Sequence, residues 1–134
     1  MKLFIALVFL VSIAACKQAT AIGKQLEGSD SLVINFNTPG SNIIDHTVTT
    51  TEAKAINKLV HFADSKTGEA YKCGYDGNLM FYKKGVLAGD VAFNYSGEGC
   101  HHFIMNVNGT LTPTTMSNEA ADFLSRLATG KGWY

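Results

Sequence analysis

The stretch LMFYKKGVLAGDVAFNYSGEGCHHFIMNV, Leu79 to Val107, decides the fold. Period-two patterning and turn dipeptides divide it into strands. LMFYKK is one strand, and Lys84-Gly85 is a tight corner. VLAGDVAFNY follows, with Val91, Phe93 and Tyr95 on one side. SGEG, Ser96 to Gly99, turns the chain again, and CHHFIMNV, Cys100 to Val107, is the next strand. Beyond it, Asn108-Gly109 is the strongest hairpin signal in the chain, and TLTPTTM runs back. Pro113 places that last strand at an edge, or marks its end, because proline cannot donate to a ladder. Upstream, EAYKC, Glu69 to Cys73, reads as a short strand, and GYDGN as the turn after it.

Nearer the N-terminus, SLVINFN alternates cleanly. Leu32, Ile34 and Phe36 share one face, and Val33, Asn35 and Asn37 share the other, which predicts a half-buried strand. Pro39-Gly40 breaks it. IIDHTVTTT returns as a second strand with Ile44, His46 and Val48 on one face. Thr49 and Glu52 have capping-box spacing, with Thr51 as an alternative cap. Ile56, Leu59, Val60 and Ala63 then follow helical spacing, so an amphipathic helix of about three turns ends before Gly68. A second helix starts at the N-cap Ser117, carries Glu119 in its first turn and stops at Gly130. Its buried stripe is Ala120, Phe123, Leu124, Leu127 and Ala128, and Trp133 is expected to dock on the core. The order ββα-βββββ-α predicts an α+β fold: one antiparallel sheet with two helices packed on one face.

The chain opens with Lys2 and an uncharged apolar run of 13 residues, Leu3 to Ala15. That run is too short to cross a bilayer, which takes about 20 residues, and suits the hydrophobic region of a signal peptide. It ends in Ile13-Ala14-Ala15-Cys16, which resembles the lipobox of bacterial lipoproteins. The resemblance implies diacylation of the Cys16 thiol with palmitate-like chains, cleavage before Cys16 and acylation of the new amino group. Two or more acyl chains hold a protein firmly to a membrane where one does not. Lys17, in place of an aspartate, resembles proteins sorted to the outer membrane. Ala19-Thr20-Ala21 reads as a competing A-x-A cleavage site, which would release a soluble secreted or periplasmic protein beginning at Ile22. The body of the chain also resembles short lipoproteins of the Bacteroidota, a likeness that implies no activity. The expected organisation is a signal peptide over 1–15, a tether over 16–30 and a single α+β domain over 31–134. The tether is read from Gly23, Gly28, Ser29 and scattered charges without a sustained period.

The whole chain carries 11 basic and 11 acidic residues. Removing 1–15 takes away Lys2 and leaves a formal net charge of −1, with no basic face to hold phosphates. Nucleic acid is therefore not an expected partner.

With Cys16 given to lipid, Cys73 and Cys100 remain as an even pair in an oxidising compartment, and a disulfide is expected. A strict meander would put two strands between them, roughly 14 Å, whereas a disulfide needs Cα atoms within about 7 Å. YKCGYDG, with two glycines after the cysteine, would have to bend across the sheet end. A metal- or redox-handling site built on Cys73, Cys100 and His102 is an alternative, since thiolate and imidazole suit zinc or copper(I). Strand alternation turns His101 and His102 to opposite faces, leaving only Cys100 and His102 together. YKC is also similar to the strand start of lipoproteins that block host lysozymes, which implies an inhibitor module. No nucleophile elbow, H-E-x-x-H, phosphate loop or dinucleotide fingerprint is present, so neither catalysis nor a cofactor is expected. The aromatics of the second half are mainly packing residues. Tyr75, Tyr82 and His102 are the candidates for a binding surface. The expected protein is a non-catalytic envelope domain, lipid-anchored to a membrane, that engages an unknown protein or small ligand.

Overall fold

The computed structural model describes residues 20–70 and 72–133; the expected signal peptide, Cys16 with its lipobox, Tyr71 and Tyr134 lie outside the described residues. The described elements are α1 (Ala21–Leu26), β1 (Ser31–Asn37), β2 (Ile44–Thr50), α2 (Ala53–Ala63), β3 (Gly77–Lys83), β4 (Val86–Asn94), β5 (His102–Val107), β6 (Thr110–Thr115) and α3 (Asn118–Ala128). The strands form one sheet in the order β2-β1-β3-β4-β5-β6. Every neighbouring pair is antiparallel. The architecture is α+β.

Alternation sets the two faces of the sheet. Leu32, Ile34 and Phe36 of β1, Leu79 and Phe81 of β3, Val91 and Phe93 of β4, and Phe103 and Met105 of β5 are all buried. The register aligns them: Phe93 lies opposite Gly77 on one side and Phe103 on the other. Ile56, Leu59, Phe62 and Ala63 of α2 and Ala120, Phe123, Leu124 and Leu127 of α3 belong to the same core, with Trp133 packed against it. The opposite face carries Val33, Asn35, Asn78, Met80, Asp90, Ala92, Ile104 and Asn106. Both two-residue hairpins have a residue pair at positive φ, Lys84 and Gly85 (48° and 78°) and Asn108 and Gly109 (51° and 83°). That is the type I′ geometry that matches strand twist. Lys84 has a side chain where glycine or asparagine is favoured, and its N–H is held by the Asp30 carboxylate at 2.9 Å.

Three expectations change. First, the tether placed over 16–30 contains a helix. Thr20 caps α1 by accepting from the Gly23 N–H, and the Asp64 carboxylate at the end of α2 accepts from the Thr20 N–H at 2.8 Å. Ile22 and Leu26, one turn apart, are fully buried. Gly89 makes room for Leu26: a Cβ there would lie 2.6 Å from Leu26 Cδ2 and 2.8 Å from Met105 Sδ. Six residues with only two apolar anchors give too short a period to be read as amphipathic.

Second, α2 begins later than its capping box suggested. Glu52 is the N-cap residue, and the Thr50 hydroxyl accepts from the Glu52 N–H at 3.1 Å. Thr49 and Thr51 do not cap. α3 keeps its expected cap, with Ser117 Oγ accepting from Ala120 N–H at 3.1 Å.

Third, the described residues of EAYKC form no strand. Thr67 forms a single bridge with Thr114, with Gly68 N–H donating to Pro113 O and Thr115 N–H to Lys66 O. Residues 65–68 thus cover the end of β6, the edge strand that carries Pro113. Glu69, Ala70, Lys72 and Cys73 are irregular, and the YKC strand start that suggested a lysozyme inhibitor is absent from the described residues. Cys100 and His101 likewise precede β5 instead of opening it. These changes reconcile the disulfide with the meander. Cys73 lies in the loop before β3 and Cys100 in the loop before β5, at the same end of the sheet. The chain crosses the end of β4 between them, and the disulfide joins the two with Cα atoms 6.1 Å apart.

Candidate functional site

The disulfide end of the sheet is organised by two polar side chains. Asn94, the last residue of β4 and buried, donates through Nδ2 to Gly74 O at 3.0 Å and Cys73 O at 3.4 Å. Its Oδ1 accepts from Gly97 N–H at 2.9 Å. Asp76 accepts from Tyr95 N–H at 2.7 Å, Ser96 N–H at 2.9 Å and Ser96 Oγ at 2.6 Å. Gly77, next along, has no space for a side chain, because a Cβ would lie 2.0 Å from Asn35 O. Tyr95 packs on Phe93, rings 5.9 Å apart. Burial, and the Asp76 carboxylate nearby, raise its phenol above the ordinary tyrosine range.

The three candidate surface residues do not form one patch. His102 is fully buried. Its Nδ1 lies 2.6 Å from Cys100 O, which can only accept, so the proton sits on Nδ1. Its ring packs against Tyr75 at 5.8 Å. It supports the loop and offers no face to a ligand. Tyr82 lies at the far end of β3, on the order of 20 Å from Tyr75 along the strand direction. Tyr75 alone stands at the rim of an open depression. The two sulfurs are joined, so Cys73 and Cys100 supply no thiolate. Among the described residues, no group of three His, Cys, Asp or Glu side chains is placed to hold a metal ion.

The open face of the sheet holds what the aromatic reading missed. A chain of side-chain hydrogen bonds crosses four strands there. Thr47 Oγ1 donates to Asn35 Oδ1 at 2.8 Å, Asn35 Nδ2 to Asn78 Oδ1 at 3.1 Å, and Asn78 Nδ2 to Asp90 Oδ1 at 2.7 Å. Beside it runs a groove of about 540 Å³. Asn37, Asn78, Asp90 and Asn106 line it with polar groups, and Ala92 and Ile104 form an apolar floor. Ile44 and Leu111 stand at its two ends, 53% and 65% exposed. Tyr75 and Asn42 border both this groove and a second depression of about 380 Å³ against the Cys73 loop. The signal was present in the sequence as asparagines on the outward parity of successive strands. Only the register could show that they fall side by side.

The fold and groove together define a small α+β domain with one sheet face covered by helices and the other open. Comparison with protein families, with characterised proteins and with solved structures finds no match to this chain.

Proposed function

We propose that this protein is a non-catalytic binding domain of the bacterial cell envelope, anchored by lipid at Cys16, and that it binds through the open face of its sheet. The observation that carries the reading is the groove itself. The helices pack on one sheet face and leave the other with exposed Ile44 and Leu111 beside a preformed row of polar side chains. Ligand sites combine apolar contact area with a few fixed hydrogen-bonding groups, and this face offers both. The anchor rests on the lipobox resemblance and on the apolar run before Cys16.

Two measurements test the proposal. Cys16→Ala should move the protein from the membrane fraction to the soluble fraction; continued membrane retention would remove the anchor. Binding of the purified chain to an envelope fraction should be lost in Ala92→Trp, which fills the groove floor. It should survive in Ser125→Trp, on the exposed side of α3. Equal binding by both variants would remove the open face from the reading.

A further inference from the structure

Resting on the open-face reading, we infer that the groove takes a neutral, linear glycan. The argument starts from charge. The groove lining contains no lysine, arginine or histidine, so nothing in it selects a phosphate, sulfate or carboxylate. Its one acid, Asp90, already accepts from Asn78 Nδ2 at 2.7 Å, which turns the carboxylate into a fixed acceptor. Such a lining disfavours an anion and suits a ligand rich in hydroxyl and N–H donors, which the Asp90 carboxylate can accept.

Shape narrows the class. The residues follow a diagonal across the sheet: Ile44 on β2, Asn37 on β1, Asn78 on β3, Asp90 and Ala92 on β4, then Ile104 and Asn106 on β5 and Leu111 on β6. From β2 to β6 there are five strand spacings, so the path is about 24 Å long. That suits a chain of several units better than a single small molecule. Amide and carboxylate groups repeat along it at strand intervals. Asn37 spends one N–H on Tyr75 O, Asn78 accepts from Asn35 and donates to Asp90, and Asn106 accepts from Gly109 N–H; each amide keeps a second N–H and an oxygen lone pair, which sugar hydroxyls or an acetamido group can satisfy. Ala92, Ile104 and the two exposed ends, Ile44 and Leu111, offer apolar contact to the C–H faces of sugar rings. The hydrogen bonds from Thr47 to Asn35, Asn78 and Asp90 hold two of these polar groups in place before any ligand arrives. Preorganisation of this kind lowers the entropic cost of binding.

An extended neutral peptide is the competing occupant, and the test includes it. The probes are tetra-N-acetylchitotetraose, cellotetraose and an uncharged extended peptide of alanine, serine and threonine. Each is titrated into the isotope-labelled full chain and followed by nuclear magnetic resonance. The expected result is saturable shifts from at least one oligosaccharide at the Asn37, Asn78 and Asn106 side-chain amides and the Ala92 and Ile104 methyls. Asn78→Ala should weaken that binding about tenfold, the loss of roughly one good hydrogen bond. Leu111→Ser, at an exposed position where folding is not at risk, should weaken it severalfold. No saturable shift with either sugar up to about 10 mM, full binding in both variants, or shifts confined to the helical face would overturn the inference. Binding of the peptide alone would overturn the glycan while leaving the open face as the site. Loss of envelope binding in Ala92→Trp still reports on the open face separately.

Discussion

Asp76 shares the organisation of the disulfide end with Asn94, and it does so with a charge. One carboxylate accepts three hydrogen bonds from Tyr95 and Ser96 and so fixes the exit of β4. Bonds to a charged acceptor are worth more than neutral ones, so Asp76→Ala should cost about 2 kcal/mol. Asp76→Asn, which keeps one acceptor oxygen, should cost about half that. Urea denaturation checks both; equal stability of Asp76→Ala and the parent chain would show that water replaces the carboxylate without loss. Tyr95 supplies a second prediction at this scale. Burial first, then the Asp76 charge, raises its folded-state pKa. The folded protein therefore holds this proton more tightly than the unfolded chain. The contribution is fully present below the ordinary tyrosine value of about 10, and it is lost as pH rises from there through the raised value. Stability measured from pH 9 upward should fall more steeply in the parent than in Tyr95→Phe. Parallel curves would mean that the phenol titrates alike in both states.

Among the elements, Glu69, Ala70, Lys72 and Cys73 depart furthest from their sequence reading, and the disulfide pins Cys73 to the sheet end without a strand. Cys73–Cys100 spans 27 residues that include β3 and β4, so the bridge closes around a complete hairpin. The chain-entropy account puts its contribution at about 3.5 kcal/mol. Reduction should lower the melting temperature by on the order of 10 °C, and Cys73→Ala with Cys100→Ala should reproduce that loss in the oxidised protein. A reduced protein that melts at the parent temperature would show that Asn94 and Asp76 hold the sheet end alone. The elements with clean periods were legible: β1 from Leu32, Ile34 and Phe36, α3 from Ser117 to Gly130, and both type I′ corners. The segment Glu69–Cys73 is short and holds few strong β-formers, and its sequence does not separate a paired strand from a chain that crosses a sheet end. His102 was misread because alternation gives the face of a residue and not the depth of cover above it. The loop carrying Tyr75 closes over that histidine, and no local pattern announces this.

For the molecule as a whole, the boundary of the folding unit is the largest difference between sequence and structure. Gly23 and Gly28, together with Ser29, mark residues 16–30 as a tether by composition. Yet Ile22 and Leu26 are as deeply buried as any side chain of the sheet. Gln25 Nε2 donates to Ala88 O, and Lys83 Nζ donates to Gln25 O, both at 2.9 Å, so the helix is stitched to β3 and β4 as well as packed on them. Truncating a buried isoleucine or leucine to alanine typically costs 2–5 kcal/mol. Removing both with their helix should cost upward of about 4 kcal/mol, a large share of the roughly 5–15 kcal/mol that holds a domain folded. A chain beginning at Ser31, the domain start that composition suggests, should therefore be unfolded or barely folded. It should show lost near-ultraviolet circular dichroism and a collapsed, non-cooperative melt. A chain beginning at Lys17 should melt as the parent does. If the shorter chain melted cooperatively at the parent temperature, α1 would be an accessory to the core. If it does not, the folding unit begins at Thr20, eleven residues before the start that composition suggests.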